Sequence, residues 1–168
     1  MKKAFDHPVF KFRIFHLILF ALTIFILSCE KEEKTYSDFN LSLDGVVLSP
    51  GAVCNQIITD ESDVFNLQSD PNSTRSERFF ISDLPVITQK TEISAADLNF
   101  RVLIFDSDGR ESKNYIPSDG MLILSPPDNN IIEGTFELTF VNEDNETDIV
   151  VLSNGNFKVS YSTYWVKY

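Results

Sequence analysis

The chain has 168 residues, 25 acidic against 14 basic, and a formal net charge of −11. Such a body repels nucleic acid and anionic headgroups, so DNA and RNA are excluded as partners. Its two histidines are His7 and His16 and its two cysteines are Cys29 and Cys54, so everything after residue 16 is without His-based triads, histidine acid–base catalysis or His-ligated zinc.

Residues 1–13 carry Lys2, Lys3, Lys11 and Arg13 against Asp6, a positive n-region. Residues 14–27 are apolar except for His16 and Thr23, too short for a membrane-spanning helix of about 20 residues but right for a signal-peptide h-region. The run ends in Ile26-Leu27-Ser28-Cys29, which resembles a bacterial lipoprotein processing site. That resemblance implies cleavage before Cys29 and acylation of its thiol. Several acyl chains hold a protein firmly, each buried CH₂ contributing about 0.8 kcal/mol. Glu30-Lys31-Glu32-Glu33-Lys34 follows at once, and Lys31, Glu32 and Glu33 resemble the export signal of surface-exposed Bacteroidetes lipoproteins. The expected organisation is a signal peptide over residues 1–28, an acylated Cys29 with a charged tether over 29–37, and one β domain over 38–168. The expected location is the outer membrane, lipid-anchored, on the cell surface.

After the tether, residues 39–43 alternate, with Phe39, Leu41 and Leu43 on one side, and Asp44-Gly45 supplies a hairpin turn into Val46–Leu48. Ala52–Ile58 and residues 64–67 read as further strands, separated by the acidic loop at 60–63. Cys54 lies in an apolar run and reads as a buried, inert thiol. After an exposed loop at 69–77, Phe79-Phe80-Ile81 opens another strand. Leu84-Pro85-Val86 must be an edge or a break, because proline cannot donate to an interior ladder. Residues 92–98 suit one helical turn. Asn99–Phe105 reads as a central strand with Phe100, Val102 and Ile104 facing one way.

In the last third, residues 121–124 form a short apolar strand. Residues 135–141 place Phe136, Leu138 and Phe140 inward and Thr135, Glu137 and Thr139 outward. An acidic loop at 142–148 leads to the strand 149–152, Asn154-Gly155 signals a two-residue hairpin, and Phe157, Val159 and Tyr161 continue the inward face. Nine or ten short strands with almost no helix point to an all-β fold, an antiparallel β-sandwich or barrel-like domain.

Gly120-Met121-Leu122-Ile123, Ile132-Glu133-Gly134-Thr135-Phe136 and Asn154-Gly155-Asn156-Phe157 resemble the closing pattern of a family of uncharacterised Bacteroidetes lipoproteins. The resemblance spans about fifty residues and implies a β fold and an envelope location, without supplying a site.

No cofactor is expected, and calcium is the ion for which the acidic loops offer candidate ligands. Asp106-Ser107-Asp108-Gly109 opens like a calcium loop, but Arg110 and Pro117 stand where further ligands belong, so a plain Asp-Gly turn is the better reading. Asp144 and Asp148, with Glu143 and Glu146, are a second candidate set, in a loop that is also simply solvated. Tyr161, Tyr164 and Trp165 are candidates for stacking on sugar rings, yet period-2 geometry puts Tyr161 and Trp165 on one face and Tyr164 on the other. The expected function is a lipid-anchored envelope β domain with a binding or structural role, its partner a glycan or an envelope protein. The competing reading is a glycan-processing or other hydrolase using an Asp/Glu pair, which needs no histidine.

Overall fold

The computed structural model of the chain describes residues 34–72 and 74–167. The signal-peptide, lipidation and export-signal expectations, including Cys29, Lys31, Glu32 and Glu33, lie outside the described residues. Within them run β1 (Ser37–Leu43), β2 (Val46–Leu48), β3 (Ala52–Ile58), β4 (Asp63–Ser69), β5 (Glu77–Pro85), β6 (Thr91–Ser94), β7 (Asn99–Phe105), β8 (Glu111–Leu124), β9 (Ile131–Asn142) and β10 (Asn145–Trp165). The one helical turn is a 3-10 segment, Ala95–Asp97, inside the stretch where the sequence suggests a turn of helix. The fold is all-β, as composition and strand spacing indicate. The strands are not uniformly short, however: β8, β9 and β10 have 14, 12 and 21 residues.

β10 explains the architecture. Over 145–160 it pairs with β9, over 152–159 its other edge pairs with β1, and over 161–165 it runs parallel to β3. Every other pairing among the described residues is antiparallel. β8 behaves alike at the other corner, pairing first with β7 and then with β9 and β6. One layer is therefore β2-β1-β10-β9-β8-β6 and the other β3-β4-β5-β7, with β8 and β10 passing from one to the other. Strands that switch sheets do so through bulges and bends. Pro117 sits where the β8 register shifts against β9, a position at which a missing N–H is tolerated. The pairings return to their start through β3, β4, β5, β7, β8, β9 and β10, which gives the sandwich a barrel-like closure.

The core lies between the layers and is largely aromatic. Phe39 on β1 meets Phe79 on β5 with ring centroids 5.7 Å apart, and Phe100 on β7 meets Phe136 and Phe140 on β9 at 5.4 and 5.1 Å. Those pairs join strands that share no ladder, and the edge-to-face contacts of Phe100 add to burial. The alternation along β9 is as the sequence indicates, with Ile132, Phe136, Leu138 and Phe140 buried and Glu133, Thr135 and Glu137 exposed. On β7, Phe100 and Val102 are buried. Cys54 is buried on β3, and burial pushes its thiol up to about 12. Pro85 ends β5 opposite Val64, beyond the last β5 residue that pairs with β7, so its missing donor leaves no ladder bond broken on that side.

Two turns are decided by different chemistry. At Asp44-Gly45 both residues have positive φ, 47° and 85°, and Leu43 faces Val46 across a two-residue loop, the hairpin that an Asp-Gly pair favours. Asn154-Gly155, by contrast, is not a hairpin. Leu152 faces Leu138 and Gly155 faces Phe136, so β10 holds one more residue than β9 over this span. That is a β-bulge, with Asn154 at φ 51° and Gly155 outside the positive-φ set. The actual β9–β10 turn is Glu143-Asp144, inside the stretch the sequence suggests is a long acidic loop. There the Asn142 side chain accepts the Asp144 N–H at 2.9 Å, an Asx turn that needs no glycine.

Candidate functional site

On the outer face of the layer containing β8, β9 and β10, five residues stand directly opposite one another from strand to strand: Glu92, Ile123, Thr135, Asn156 and Asn40. With neighbouring strands about 4.8 Å apart, the row is about 19 Å long. Two depressions of about 470 and 300 Å³ lie on opposite sides of the middle of this row, displaced along the strands, and share Ile123, Thr135 and Asn156. The larger is bounded by Met121, Glu137 and Asn154, the smaller by Lys90, Ser125 and Glu133. Together they make one shallow groove that runs along β8, β9 and β10 and meets the row at Ile123, Thr135 and Asn156.

Asn154 and Asn156, two residues apart on β10, share its outer face, and Asn156 Nδ2 donates to the Asn154 carbonyl at 3.3 Å. Asn156 Oδ1 accepts from Asn40 Nδ2, also at 3.3 Å. An amide has two donors and two acceptor sites, so these bonds orient the group and leave half its capacity toward the groove. Glu133 is held by Lys158 at 3.2 Å, and Glu133 in turn raises the Lys158 ammonium above its ordinary range. Met121, almost half exposed, supplies an apolar floor beside Ile123. Sequence reading passes over most of this groove, because its members come from β8, β9, β10 and the segments just before β6 and just after β8, and only pairing register brings them together.

The residues singled out from sequence lie elsewhere. Asp106 Oδ1 accepts the N–H groups of Asp108 and Arg110, each at 2.9 Å, and closes the Asp-Gly turn with Gly109 at φ 75°. Asp148 does not meet Asp144 in a ligand set. Its Oδ2 accepts from Lys113 Nζ at 2.7 Å, Tyr115 Oη at 3.1 Å and Asn142 Nδ2 at 3.2 Å. The Lys113 bond, foremost, holds the Asp148 carboxyl below its ordinary range. Among the described residues no group of three or more His, Cys, Asp or Glu is placed to hold a metal ion. Tyr161 is half-buried edge-on against Phe65, centroids 4.7 Å apart, and burial raises its phenol. Tyr164 and Trp165 are exposed and, as neighbours on a strand, point to opposite sides.

Around the Asp148 cluster the β9–β10 hairpin is fastened to β7 and β8. Glu143 pairs with Arg101 at 3.1 Å and accepts from Asn114 Nδ2 at 2.6 Å, while its N–H donates to the Asn114 carbonyl at 2.9 Å. The Glu143 and Asp148 carboxylates are each matched to a cation and an amide, which suits fastening.

Fold and groove together define an all-β, sandwich-like domain with barrel-like closure and an open, amide-lined outer face. Comparison of the chain with family models, with curated proteins and with solved structures gives no match.

Proposed function

We propose that this chain is a lipid-anchored protein of the bacterial outer membrane, displayed at the cell surface, whose β domain serves by binding. The leader, the Cys29 site and the Lys31-Glu32-Glu33 tether support the location, as does the resemblance to Bacteroidetes lipoproteins. The observation that carries the binding reading is the open groove over β8, β9 and β10, lined by Asn154 and by Asn156, whose amide is oriented by its bonds to the Asn154 carbonyl and to Asn40. A glycan or an envelope protein is the partner class such a face serves. The competing hydrolase reading needs two carboxylates about 5–10 Å apart across a scissile bond. The two groove-lining carboxylates, Glu133 and Glu137, are four residues apart on β9, about 13–14 Å along an extended strand, and Glu133 is tied to Lys158.

The experiment is metabolic labelling with an alkyne fatty acid, followed by fractionation and treatment of intact cells with an impermeant protease. Wild-type protein is expected to carry the label, sediment with the outer membrane and be cleaved. Cys29→Ala should lose label and membrane attachment, and alanines at Lys31, Glu32 and Glu33 should keep the label but lose cleavage. Full membrane recovery of unlabelled Cys29→Ala would overturn the anchor, and unchanged cleavage of the triple variant would overturn the export signal.

A further inference from the structure

Resting on the lipid-anchored reading above, we infer that one end of the domain docks on the bilayer that holds the Cys29 acyl chains, with Trp165 and Tyr164 seated at headgroup level. β1 runs antiparallel to β10, so its N-terminal end, which the tether joins, lies at the end of the domain toward which β10 runs. There Tyr36 is fixed to Ser160, donating its N–H to the hydroxyl and accepting the Ser160 N–H, both at 2.9 Å. Tyr36 lies seven positions after Cys29, a reach of about 24 Å for extended chain. β10 continues five residues past Ser160 to Trp165, about 17 Å along the strand. The tether is therefore long enough to bring this rim to the lipid surface and too short to hold it far away.

The rim has the chemistry of an interfacial surface. Across the ends of β10, β3, β4 and β5, Tyr164, Ile57, Val64 and Pro85 face one another in a row on the outer side. No charged residue interrupts the row. Tyr164 is 54% exposed, and on the other side of the strand Trp165, opposite Ile58, is 75% exposed. A strand met end-on presents both its sides, so the two rings flank its tip. Trp and Tyr concentrate at membrane–water interfaces because each joins an apolar ring to a polar group. Charge selects among lipids. Asp60, Glu61 and Asp63 stand at this same end against Lys167, so an anionic surface repels it and a zwitterionic one does not.

Trp165 is the chain's only tryptophan, so intrinsic fluorescence reads this rim alone. The test reconstitutes the acylated protein, purified from membranes, into phosphatidylcholine vesicles and floats them on a density gradient. Wild-type emission is expected to lie at shorter wavelength than that of a Pro85→Glu, Tyr164→Glu double variant. Phosphatidylcholine spin-labelled near the headgroup should quench most of it, and lipid labelled near the chain end should quench it less. Both substitutions are at exposed positions, so the double variant should keep its melting temperature and its flotation while losing the quenching. Replacing part of the lipid with phosphatidylglycerol should not strengthen the effect. The inference is overturned, with the anchor left standing, if the floated wild type is unquenched, if its emission is shifted but out of reach of spin-labelled lipid, as against a second copy of the chain, if the double variant is quenched equally, or if quenching needs phosphatidylglycerol. Failure of the wild type to float would overturn the anchor itself, and this inference with it.

Discussion

The ring of Phe136 fills the space in which a side chain at Gly155 would stand. A Cβ built on Gly155 overlaps three atoms of that ring, and the two residues face each other directly across β9 and β10. Gly155 is thus required by the core. Any side chain there must displace an aromatic ring that also packs on Phe39 and Phe100. Gly155→Ala should therefore cost about 1–3 kcal/mol as overpacking, and Gly155→Asn at least as much. In a type I′ turn, asparagine would be nearly harmless. Denaturant melts separate the two cases, and a well-tolerated Gly155→Asn would contradict the bulge.

Gly45 makes the opposite case. Its φ is 85° and nothing lies within 4 Å of an added Cβ, so the cost of a side chain is backbone strain alone. Gly45→Val should lose about 1–2 kcal/mol, while Gly45→Asn should lose much less because asparagine tolerates the left-handed region. Equal melting curves for the two variants would show that the hairpin does not depend on this conformation.

Asp148 sets an acid limit. Its carboxyl is held low chiefly by Lys113, so its contribution to stability is present above the unfolded carboxylate pKa and is lost as pH falls through the lower, folded value. Asp148→Asn should flatten the acid side of the stability profile while leaving it unchanged in shape near neutrality. It should also leave the hydroxyl of Tyr115, a side chain 1% exposed, with a poorer acceptor. Thermal melts of both proteins across the acid range measure the difference, and superimposable profiles would refute the assignment.

Cys54 should be silent toward thiol reagents while the domain is folded. It is 2% exposed and its thiol is raised to about 12 by burial, so both access and thiolate fraction are low at neutral pH. Labelling with iodoacetamide, read at the Cys54 peptide by mass spectrometry, should proceed at the rate of domain opening and jump in denaturant. Rapid labelling under native conditions would mean that β3 is not packed as described.

Legibility of this fold followed burial. Strand β9 is readable residue by residue from Thr135 to Phe140, though not over its first four residues, because one side faces the core and the other water, and the same holds for Phe100 and Val102. The first half of β8 was missed. Glu111, Ser112, Lys113 and Asp119 are exposed and Pro117 interrupts the run, so nothing local distinguishes it from a loop until β7 and β9 pair with it. Asn154-Gly155 misled for a related reason. The pair has the chemistry of a turn, yet long β9 on one side and β1 on the other hold the chain extended through it. The groove was out of reach altogether, because Ile123, Thr135 and Asn156 meet only through register.

The dependence of so many strands on β10 governs how this chain can acquire its structure. β1, β3 and β9 all find a ladder partner in the final element, and contacts that close so large a loop form slowly. Emerging N-terminus first, the polypeptide can make the β1–β2 and β3–β4 hairpins early, but it has no seam to join them until residue 165 is out. Until then β8 alone joins the two layers, through β7 on one side and β6 and β9 on the other, and the ring of pairings closes in one late step when β10 reaches β1 and β3.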